Sequence, residues 1–386
     1  MSAFRGRRVA IVGVGYSTIG RSTGLSLDHL TAQAGVAAMN DAGLRPADID
    51  GVAVHSFPHQ YQSATRTAHM LGIPDAAYYS GSIDGAAYQV AAMHGWSAVA
   101  SGACDTCITV RTVHRQGAAG GGVSRDADAR YGGGQQFNVP YGLFTGSHWA
   151  GMYMRRHMHE FGTTPEQFGH FAIAQRDYAT RNPDALLREP LSMDDYLSSR
   201  YISEPLHLLD CDYPVDSSSA LIFTTEERAR DLRHRPVFIE ASAGGTTDAA
   251  DFSLVESMPQ SSPWRAAKRM WSRTELKPSD VQVAGLYDGF TFIAMQWLEA
   301  LGFCGLGESG PFVGEGNTRP GGRIPTNTDG GACNVGRRHG ANFFIEVTRQ
   351  LRGEGECGDR QIPGARVGVV SNAVGGFAGC ALLTAD

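Results

Sequence analysis

Short apolar runs typical of buried strands alternate along this chain with longer segments whose apolar residues recur at helical spacing. The pattern predicts strands over residues 8–15, 51–55, 107–111, 217–224, 236–241, 365–371 and 380–384. It predicts helices over residues 26–42, 84–100, 149–161, 165–182, 226–232, 262–274, 290–301 and 340–352, with loop over 305–322. Because strands alternate with helices twice over, we expect a layered α/β protein with two similar halves.

One short segment of the sequence occurs twice. Leu44–His55 aligns without a gap with Leu276–Tyr287, and Leu, Pro and Asp recur at the same places. Two such similar segments, so far apart, indicate a duplicated fold. The alignment also places His55 and Tyr287, two residues that can move protons, at matching strand ends.

The duplication divides the chain into two predicted halves, residues 1–230 and 235–386. Between about residues 112 and 210 the regular alternation fades, beginning with a Gly- and Asp-rich stretch and continuing with helical segments. We expect this segment to be an insertion that lies over the face of the first half.

Composition and charge exclude several classes of function. The net charge of −6 and the lack of a long basic run argue against a nucleic-acid partner. No run of about 18 apolar residues exists, so no membrane span is predicted. The N-terminus leads directly into a predicted strand, which does not resemble a signal peptide. Seven cysteines, an odd number, suit a reduced cytoplasm better than a disulfide scaffold.

The densest candidate for chemistry is the segment Asn327–Gly340, in which four of fourteen residues are glycine. The loop leads into the start of a predicted helix, where free N–H groups and the helix dipole favour an anion or a developing oxyanion. His339 lies at that point and suits a general base or a hydrogen-bond donor. The alternative is a Gly-rich turn with a capping histidine.

A second candidate is Tyr287-Asp288-Gly289-Phe290-Thr291, a strand end that runs directly into a helix. Tyr287 should project at the carboxyl end of the sheet, where open α/β sheets place their sites. Asp288 could cap the helix that follows. The alternative is a packed ring with a solvated hydroxyl.

Three further motifs are weaker. The glycines from Gly13 to Gly20 have the wrong spacing for a dinucleotide loop. Cys104 and Cys107 have C-x-x-C spacing, but no second pair follows, so we predict buried thiols. Histidines of the predicted insertion are expected to be solvated or hydrogen-bonded. His148, at the start of a predicted helix, is the best functional candidate among them.

Five segments together resemble the thiolase superfamily, in its sterol-carrier-protein-type or lipid-transfer-protein branch. They are Asn327–Gly340, Tyr287–Thr291, Gln350–Gly353, Val367–Gly376 and Met152–Thr163. The resemblance implies two βαβαβαββ-type halves in five layers, α-β-α-β-α. It also implies a homodimer that handles acyl-CoA thioesters beside a small partner with a zinc ribbon and an OB-fold, together a heterotetramer. Zinc is then expected only in the partner, with no cofactor in this chain.

The sequence departs from the thiolase pattern at the residues that carry covalent chemistry. The position of the nucleophilic cysteine falls on Gly85, and no cysteine lies nearby. The second thiolase cysteine falls on Ser371 or Asn372, and Arg337 takes the place of the Gly-His-Pro histidine, with His339 displaced along the chain. Because an acyl-enzyme needs a thiolate, these losses argue against Claisen condensation and thiolysis.

The remaining groups suit retro-aldol cleavage of a β-hydroxyacyl-CoA, which needs no metal and no covalent intermediate. The pattern resembles the lipid-transfer-protein aldolases, which cleave 17-hydroxysteroid side-chain CoA thioesters into a 17-ketosteroid and propionyl-CoA. Our hypothesis is that Tyr287 transfers the proton of the substrate hydroxyl and that His339 either lowers the pKa of Tyr287 or assists directly. Arg337 or Arg338 could provide the cation that lowers this pKa.

Other predicted site residues have supporting roles. His55 is the counterpart of Tyr287 in the first half, and five small residues are expected to line the pocket and oxyanion site: Gly85, Ala86, Gly340, Gly375 and Gly376. Two alternatives stay open. One is a thiolase or acyltransferase that uses a displaced cysteine such as Cys333, and the other is a non-catalytic subunit that binds acyl-CoA or lipid.

Overall fold

The computed structural model describes residues 6–56, 62–82, 88–114, 132, 135–247, 257–374 and 376–386. Its strands are β1 (Val9–Tyr16), β2 (Gly51–His55), β3 (Tyr78–Ser82), β4 (Thr106–Val113), β5 (Tyr201–Ser203), β6 (Leu206–His207), β7 (Ser217–Thr225), β8 (Val237–Thr246), β9 (Val283–Gly285), β10 (Val367–Val374) and β11 (Phe377–Ala385). Its helices are α1 (Leu27–Ala42), α2 (Ala64–Met70), α3 (Tyr88–Ser101), α4 (Gln135–Asn138), α5 (Gly146–Phe161), α6 (Pro165–Ala179), α7 (Met193–Ser198), α8 (Glu226–Arg230), α9 (Ser262–Trp271), α10 (Thr291–Ala300), α11 (Ser309–Gly314), α12 (Ala332–Val335) and α13 (Ala341–Arg352).

The large sheet shows the predicted duplication in its strand order, β3-β2-β4-β7-β1-β8-β11-β10-β9. At its centre β1 and β8 run antiparallel. Outward from this pair, each half has two further antiparallel pairings followed by a parallel one. On the first side β3 then pairs with β2 in parallel, and on the second a parallel bridge joins Ala284 to Thr326. The two halves are therefore related by an approximate two-fold axis.

The repeated segment has the same local structure in both halves. A 3₁₀ turn, Pro46–Asp48 or Pro278–Asp280, comes before β2 or β9. In each turn the aspartate accepts a hydrogen bond from the backbone N–H three residues earlier, at 2.9 Å for Asp48 and 2.8 Å for Asp280. The matching strand ends predicted from the sequence are thus confirmed: β2 ends at His55, and Tyr287 follows β9 by two residues.

Helices lie in three layers around the two halves of the sheet, which confirms the five-layer prediction. Helices α3 and α13 form the middle layer and contact strands of both halves. Their Tyr88, Phe343 and Phe344 are fully buried in one cluster with β1, β4, β7, β10 and β11. Helix α1 covers the outer face of the first half, and α9 and α10 cover that of the second. Each buried large apolar side chain contributes roughly 1.5–3 kcal/mol.

The segment between β4 and β7 packs against the second half, which corrects the prediction that it lies over the first. Met154, Phe168 and Phe171 share a core with Phe292 and Trp297 of α10. Helices α5 and α6 contact α10, and α6 also contacts α11 and α12. The reason is that the apolar faces of these helices find their complement on α10, far away along the chain. The predicted limits of the halves and of the insertion stay predictions.

Several short elements also differ from the prediction, among them α11 and β3. Helix α11 lies within the predicted loop 305–322, and β3 was not predicted. Helix α11 contains Gly310, Pro311 and Gly314, which usually indicate loop, but Gly310 allows a close approach. A Cβ on Gly310 would lie 2.4 Å from Oε1 of Gln167 on α6. In the part of the chain that the structure describes, no helix is long and apolar enough to cross a membrane.

Candidate active site

The parallel pairing of β2 and β4 places His55 beside Arg111 at one end of the sheet. Both side chains are buried, each about 1% exposed. Arg111 reaches across to the second half, where its Nε and Nη2 donate to His339 Nδ1 at 3.3 and 3.0 Å. Burial lowers the pKa of the Arg111 guanidinium to about 9, so it stays a cation at neutral pH. The predicted site residues His55 and His339 are therefore joined through Arg111.

The main chain around His339 is held in an unusual conformation. His339 has φ +51° and Gly340 has φ +88°, both left-handed, just before α13 begins at Ala341. The His339 carbonyl accepts from Asn372 Nδ2 at 2.7 Å and from the Tyr88 N–H at 3.3 Å. A side chain at residue 340 would collide with Asn372, because a Cβ there would lie 2.0 Å from its Nδ2. The predicted position of His339 at a helix N-terminus is confirmed.

Tyr287 lies at the same end of the sheet, half-buried between the middle layer and the second-half core. Its N–H donates to Ser371 Oγ at 3.2 Å. Burial raises its pKa, as do Asp212 and Asp288, and the opposing effects of Arg337 and Arg111 are smaller. The expectation that an arginine lowers this pKa overall is therefore wrong. The phenol is protonated at neutral pH.

The two arginines next to His339 have different partners. Arg337 Nε lies 3.0 Å from Asp212 Oδ2, and this carboxylate raises the pKa of Arg337. Arg337 is nevertheless close enough to Tyr287 to oppose the rise in its pKa. Arg338 instead lies over the Tyr16 ring, with its Cζ 3.9 Å from the ring centroid. Of the two predicted supporting arginines, the structure brings only Arg337 near Tyr287 by a described interaction.

Asp288 does not cap the helix that follows it, which corrects that prediction. It is fully buried and accepts from Gln175 Nε2 at 2.6 Å and from the N–H groups of Ala332 and Cys333 at 3.0 and 3.4 Å. Its carboxylate therefore accepts from N–H groups at the start of α12, because the side chain points inward under the Gly-rich loop. Burial raises its pKa to about 7, against the effect of these hydrogen bonds.

The side chain of Asn327 fixes the strand end that carries Tyr287. Its Oδ1 accepts from the Leu286 N–H at 2.7 Å, and its Nδ2 donates to the Leu286 carbonyl at 2.8 Å. Its own N–H donates to the Ala284 carbonyl at 2.8 Å. The amide thus pairs with the outer edge of β9 as a neighbouring strand would. Asn327 has φ +53°, a conformation that asparagine tolerates better than most residues.

Several predicted residues lie outside this cluster or outside the described part of the chain. Gly85, Ala86 and Gly375 are outside the described residues. The Gly376 carbonyl accepts from the Thr247 N–H at 2.9 Å, so it belongs to the turn between β10 and β11. His148 Nδ1 accepts from the Phe144 N–H at 3.0 Å at the start of α5.

The cysteines are all free. Cys104 and Cys107 are buried, as predicted, and burial raises the pKa of Cys107. Cys333 contacts the described site, with its Sγ 3.4 Å from the Asp288 carbonyl. Burial and Asp288 raise the Cys333 pKa well above its usual value, so the thiolate that a nucleophile needs is disfavoured.

Sequence reasoning missed two residues that contact His339 directly. Arg111 is separated from it by 228 positions, and Asn372 by 33. The available signal for Arg111 was a charged residue inside an otherwise apolar run, which a buried strand accepts only when a specific partner exists. Asn372 was predicted, together with Ser371, as a possible position of a lost cysteine, but not as a partner of His339.

Comparison with known proteins agrees with this arrangement. The family described as thiolase C-terminal domain-like matches residues 244–383. A 17-hydroxy-3-oxo-4-pregnene-20-carboxyl-CoA lyase of Mycobacterium tuberculosis is 36% identical over 90% of this chain and 92% of its own. A steroid side-chain-cleaving aldolase of Thermomonospora curvata is 36% identical over 89% and 90%. The solved structure of an Ltp2-ChsH2(DUF35) aldolase superposes with a TM-score of 0.89, at 33% identity, covering 100% of this chain and 99% of that one.

The fold and the site together define a protein of the thiolase superfamily whose first half lacks the nucleophilic cysteine. Within that superfamily, the chain belongs to the family of the steroid side-chain-cleaving aldolases. The resemblance found in the sequence motifs is confirmed.

Proposed function

We propose that this protein cleaves a 17-hydroxysteroid side-chain CoA thioester by a retro-aldol reaction, giving a 17-ketosteroid and propionyl-CoA. The observation that carries the proposal is a thiolase fold without its thiolate. No cysteine occurs between Ser82 and Tyr88, where the nucleophile would lie, whereas Arg111, His339 and Tyr287 still converge at the strand ends. The two relatives compared over most of their length are named for this kind of reaction.

The reaction balances without an oxidant, a metal or a covalent adduct. The β-hydroxyl loses its proton as the Cα–Cβ bond breaks, and the hydroxyl-bearing carbon becomes the ketone. The electron pair of the broken bond passes into the thioester as an enolate. The enolate then takes up one proton at Cα, which gives propionyl-CoA. The protein therefore has to move one proton and stabilise one developing negative charge.

Tyr287 suits the proton transfer because its phenol is protonated at rest. A phenol can take up the hydroxyl proton while it gives its own proton to Cα of the departing enolate, so it serves as a relay rather than as a standing base. The nearby guanidinium groups of Arg111 and Arg337 stabilise negative charge that develops on the phenol oxygen during the transfer. This role does not need the phenolate to be populated beforehand.

His339 suits the thioester carbonyl. Its Nδ1 accepts from Arg111, which leaves the ring proton of the neutral imidazole on Nε2. A donor in this position, beside the N-terminus of α13, favours a negatively charged oxygen. His339 and Tyr287 thereby divide the two tasks of the reaction between them.

The two alternatives make different predictions. A displaced Cys333 nucleophile would form an acyl adduct, but the buried, protonated thiol argues against this. A non-catalytic subunit would bind an acyl-CoA without converting it. The pairing of His339 with a buried arginine weighs against that reading, because a scaffold gains nothing from the desolvation of a cation.

We also propose that the chain works with a small partner that carries a zinc ribbon and an OB-fold, around a homodimer of this chain. The similar solved structure, an aldolase whose name includes a DUF35 component, supports a partner subunit. Zinc would then belong to the partner, and this chain would hold no cofactor.

The test is incubation of the protein with a 17-hydroxysteroid side-chain CoA thioester, with and without the candidate partner. Mass spectrometry should detect a 17-ketosteroid and propionyl-CoA in equal amounts. Intact-protein mass spectra recorded during turnover should show no added acyl group. A stable acyl adduct, or binding without products in the presence of the partner, would contradict the proposal.

A further inference from the structure

Arg111 occupies a position where a cation is costly. It lies in β4, in which every residue is buried, and its own side chain is about 1% exposed. Burial of a charged group costs several kcal/mol unless hydrogen bonds and charges compensate for it. A strand of this kind would be more stable with an apolar residue there. The cost indicates that the guanidinium has a task other than packing.

The contacts of Arg111 show two sets of acceptors. Its Nη1 donates to the His55 carbonyl at 3.2 Å and to the Thr112 carbonyl at 2.8 Å, which anchors the head group to β2 and β4. Its Nε and Nη2 donate together to His339 Nδ1 at 3.3 and 3.0 Å. The planar guanidinium is thus fixed by backbone on one side and directed at a single ring nitrogen on the other.

The chemistry of the two groups settles which nitrogen of His339 carries the proton. A guanidinium has five N–H donors and no acceptor. His339 Nδ1 must therefore be the acceptor, and the proton of the neutral ring lies on Nε2. The main chain of His339 is held independently by Asn372 and Tyr88, so removal of Arg111 should free the ring to rotate without moving the backbone.

We propose that Arg111 is a positioning residue that fixes the orientation and the tautomer of His339, so that Nε2 carries the hydrogen offered to the substrate. This inference rests on the proposed function for the identity of the acceptor, the thioester carbonyl. The assignment of the ring proton to Nε2 does not depend on the proposed function, because it follows from the contacts of Arg111 with His339. The first half of the duplicated fold, which has no nucleophile, thus contributes to the reaction by orienting a histidine of the second half.

The test combines nitrogen NMR with kinetics. In [15N]histidine-labelled protein the His339 signals are assigned by their loss in His339→Gln. The wild-type ring should be in the Nε2–H form at neutral pH, with Nδ1 unprotonated. In Arg111→Met both tautomers should be populated. The kcat should fall by about 10- to 100-fold, the usual range for loss of an orienting partner, while KM changes less than about threefold. Arg111→Lys, which keeps a donor and a charge, should recover part of kcat and of the tautomer preference.

Arg352→Lys is the matched control, since it alters another fully buried arginine, at the far end of α13. It should leave the His339 tautomer and kcat unchanged. An Nδ1–H ring in the wild type would overturn the inference without any variant, and so would an unchanged tautomer in Arg111→Met. If the wild type cleaves no β-hydroxyacyl-CoA but shows the Arg111-dependent tautomer, only the proposed function fails. If cleavage is normal and the tautomer is independent of Arg111, only this inference fails.

Discussion

At the residue scale, the raised pKa of Tyr287 decides the form in which its phenol meets a substrate. Burial outweighs the nearby Arg337 and Arg111, so the hydroxyl keeps its proton at neutral pH. The sequence showed a tyrosine at a strand end and, far along the chain, two arginines next to His339. It could not show that Arg338 turns toward Tyr16 or that Arg337 is paired with Asp212. Such orientations depend on contacts between distant segments.

Tyr287→Phe removes the hydroxyl and keeps the ring that packs between the middle helix layer and the core of the second half. We expect the fold to be retained and cleavage to slow by about 100-fold or more, the size of a general acid–base contribution. Steady-state kinetics with the steroid CoA thioester measures the effect, and thermal unfolding checks the fold. An unchanged rate would remove Tyr287 from the mechanism.

Gly340→Ala adds a methyl group where φ is +88° and where Asn372 Nδ2 would lie 2.0 Å away. The left-handed backbone alone costs roughly 1–2 kcal/mol for a non-glycine residue. We expect a larger loss of unfolding free energy than this, together with a fall in kcat, because Asn372 must leave the His339 carbonyl. Urea unfolding and kinetics measure the two effects.

The matched control is Gly353→Ala, at φ +69° with no atom within 4 Å of the added Cβ. It should cost only the backbone strain, about 1–2 kcal/mol, and keep kcat. Equal losses of stability in the two variants would show that the contact with Asn372 is unimportant.

At the element scale, the segment between β4 and β7 is fastened to the second half by a buried pair. His157 Nε2 on α5 donates to Glu299 Oε1 on α10 at 3.0 Å, and the Ser309 N–H at the start of α11 donates to the same oxygen at 3.1 Å. His157 Nδ1 lies 2.8 Å from Thr163 Oγ1. The expectation that these histidines are solvated or hydrogen-bonded is confirmed for His157, which is hydrogen-bonded. Three helices thus depend on one carboxylate.

Glu299→Gln tests the dependence of this junction on pH. Burial raises the pKa of Glu299, but hydrogen bonds from His157 and Ser309 outweigh it and lower the pKa below its ordinary value. An acid with a lowered folded-state pKa stabilises the fold above its unfolded pKa, near 4.3, and loses that contribution as the pH falls through the folded-state pKa. At pH 7 the variant should lose roughly 1.5–3 kcal/mol of unfolding free energy.

Urea unfolding at a series of pH values from 7 down to 3 measures this effect. The difference between wild type and Glu299→Gln should shrink toward acid pH. Glu227→Gln, which changes an exposed acid on α8, should show little difference at any pH. A gap that stays constant from pH 7 to pH 3 would show that the ionised carboxylate is not the stabilising form.

Helices and strands were predicted correctly where the local sequence determines them. The predictions failed where contacts between distant segments determine the structure. The repeat at Leu44 and Leu276 predicted matching turns and strands correctly, because Pro, Asp and the apolar positions act within a few residues. Helix α11 was missed because Gly310 serves a close contact with Gln167 rather than a turn. The surface covered by α5 and α6 was assigned to the wrong half, since adjacency in sequence does not specify the partner of an apolar face.

At the scale of the whole molecule, the two halves share the middle helix layer and are also joined at the C-terminal end of α13. Arg352 at the end of α13 is fully buried and contacts Asp41 of α1 through Nη1 and Nη2, each at 3.0 Å. Its Nη2 also donates to the Val12 carbonyl at 3.0 Å. Neither half can bury its share of this layer without the other. We therefore expect the halves to unfold together.

Arg352→Met should lower the free energy of unfolding by about 3–5 kcal/mol, because it leaves the acids around it without their buried cation. Differential scanning calorimetry should still show one transition. Arg230→Met, which removes an exposed arginine paired with Glu226 and Asp386, should cost no more than about 1 kcal/mol. Two separate transitions in the wild type would show that the halves are independent.

The amide of Asn327 has a consequence for how copies of this sheet can associate. On the outer side of β9, the backbone groups of Ala284 and Leu286 are already hydrogen-bonded to Pro325 and Asn327. A strand of another molecule therefore cannot pair with β9 at this margin of the sheet. In the strand order of the described residues, β3 is terminal at the opposite margin and carries the exposed Tyr79. Open-ended growth of fibres by strand addition needs a receptive strand at both margins of the sheet, and Pro325 and Asn327 together close the margin at β9.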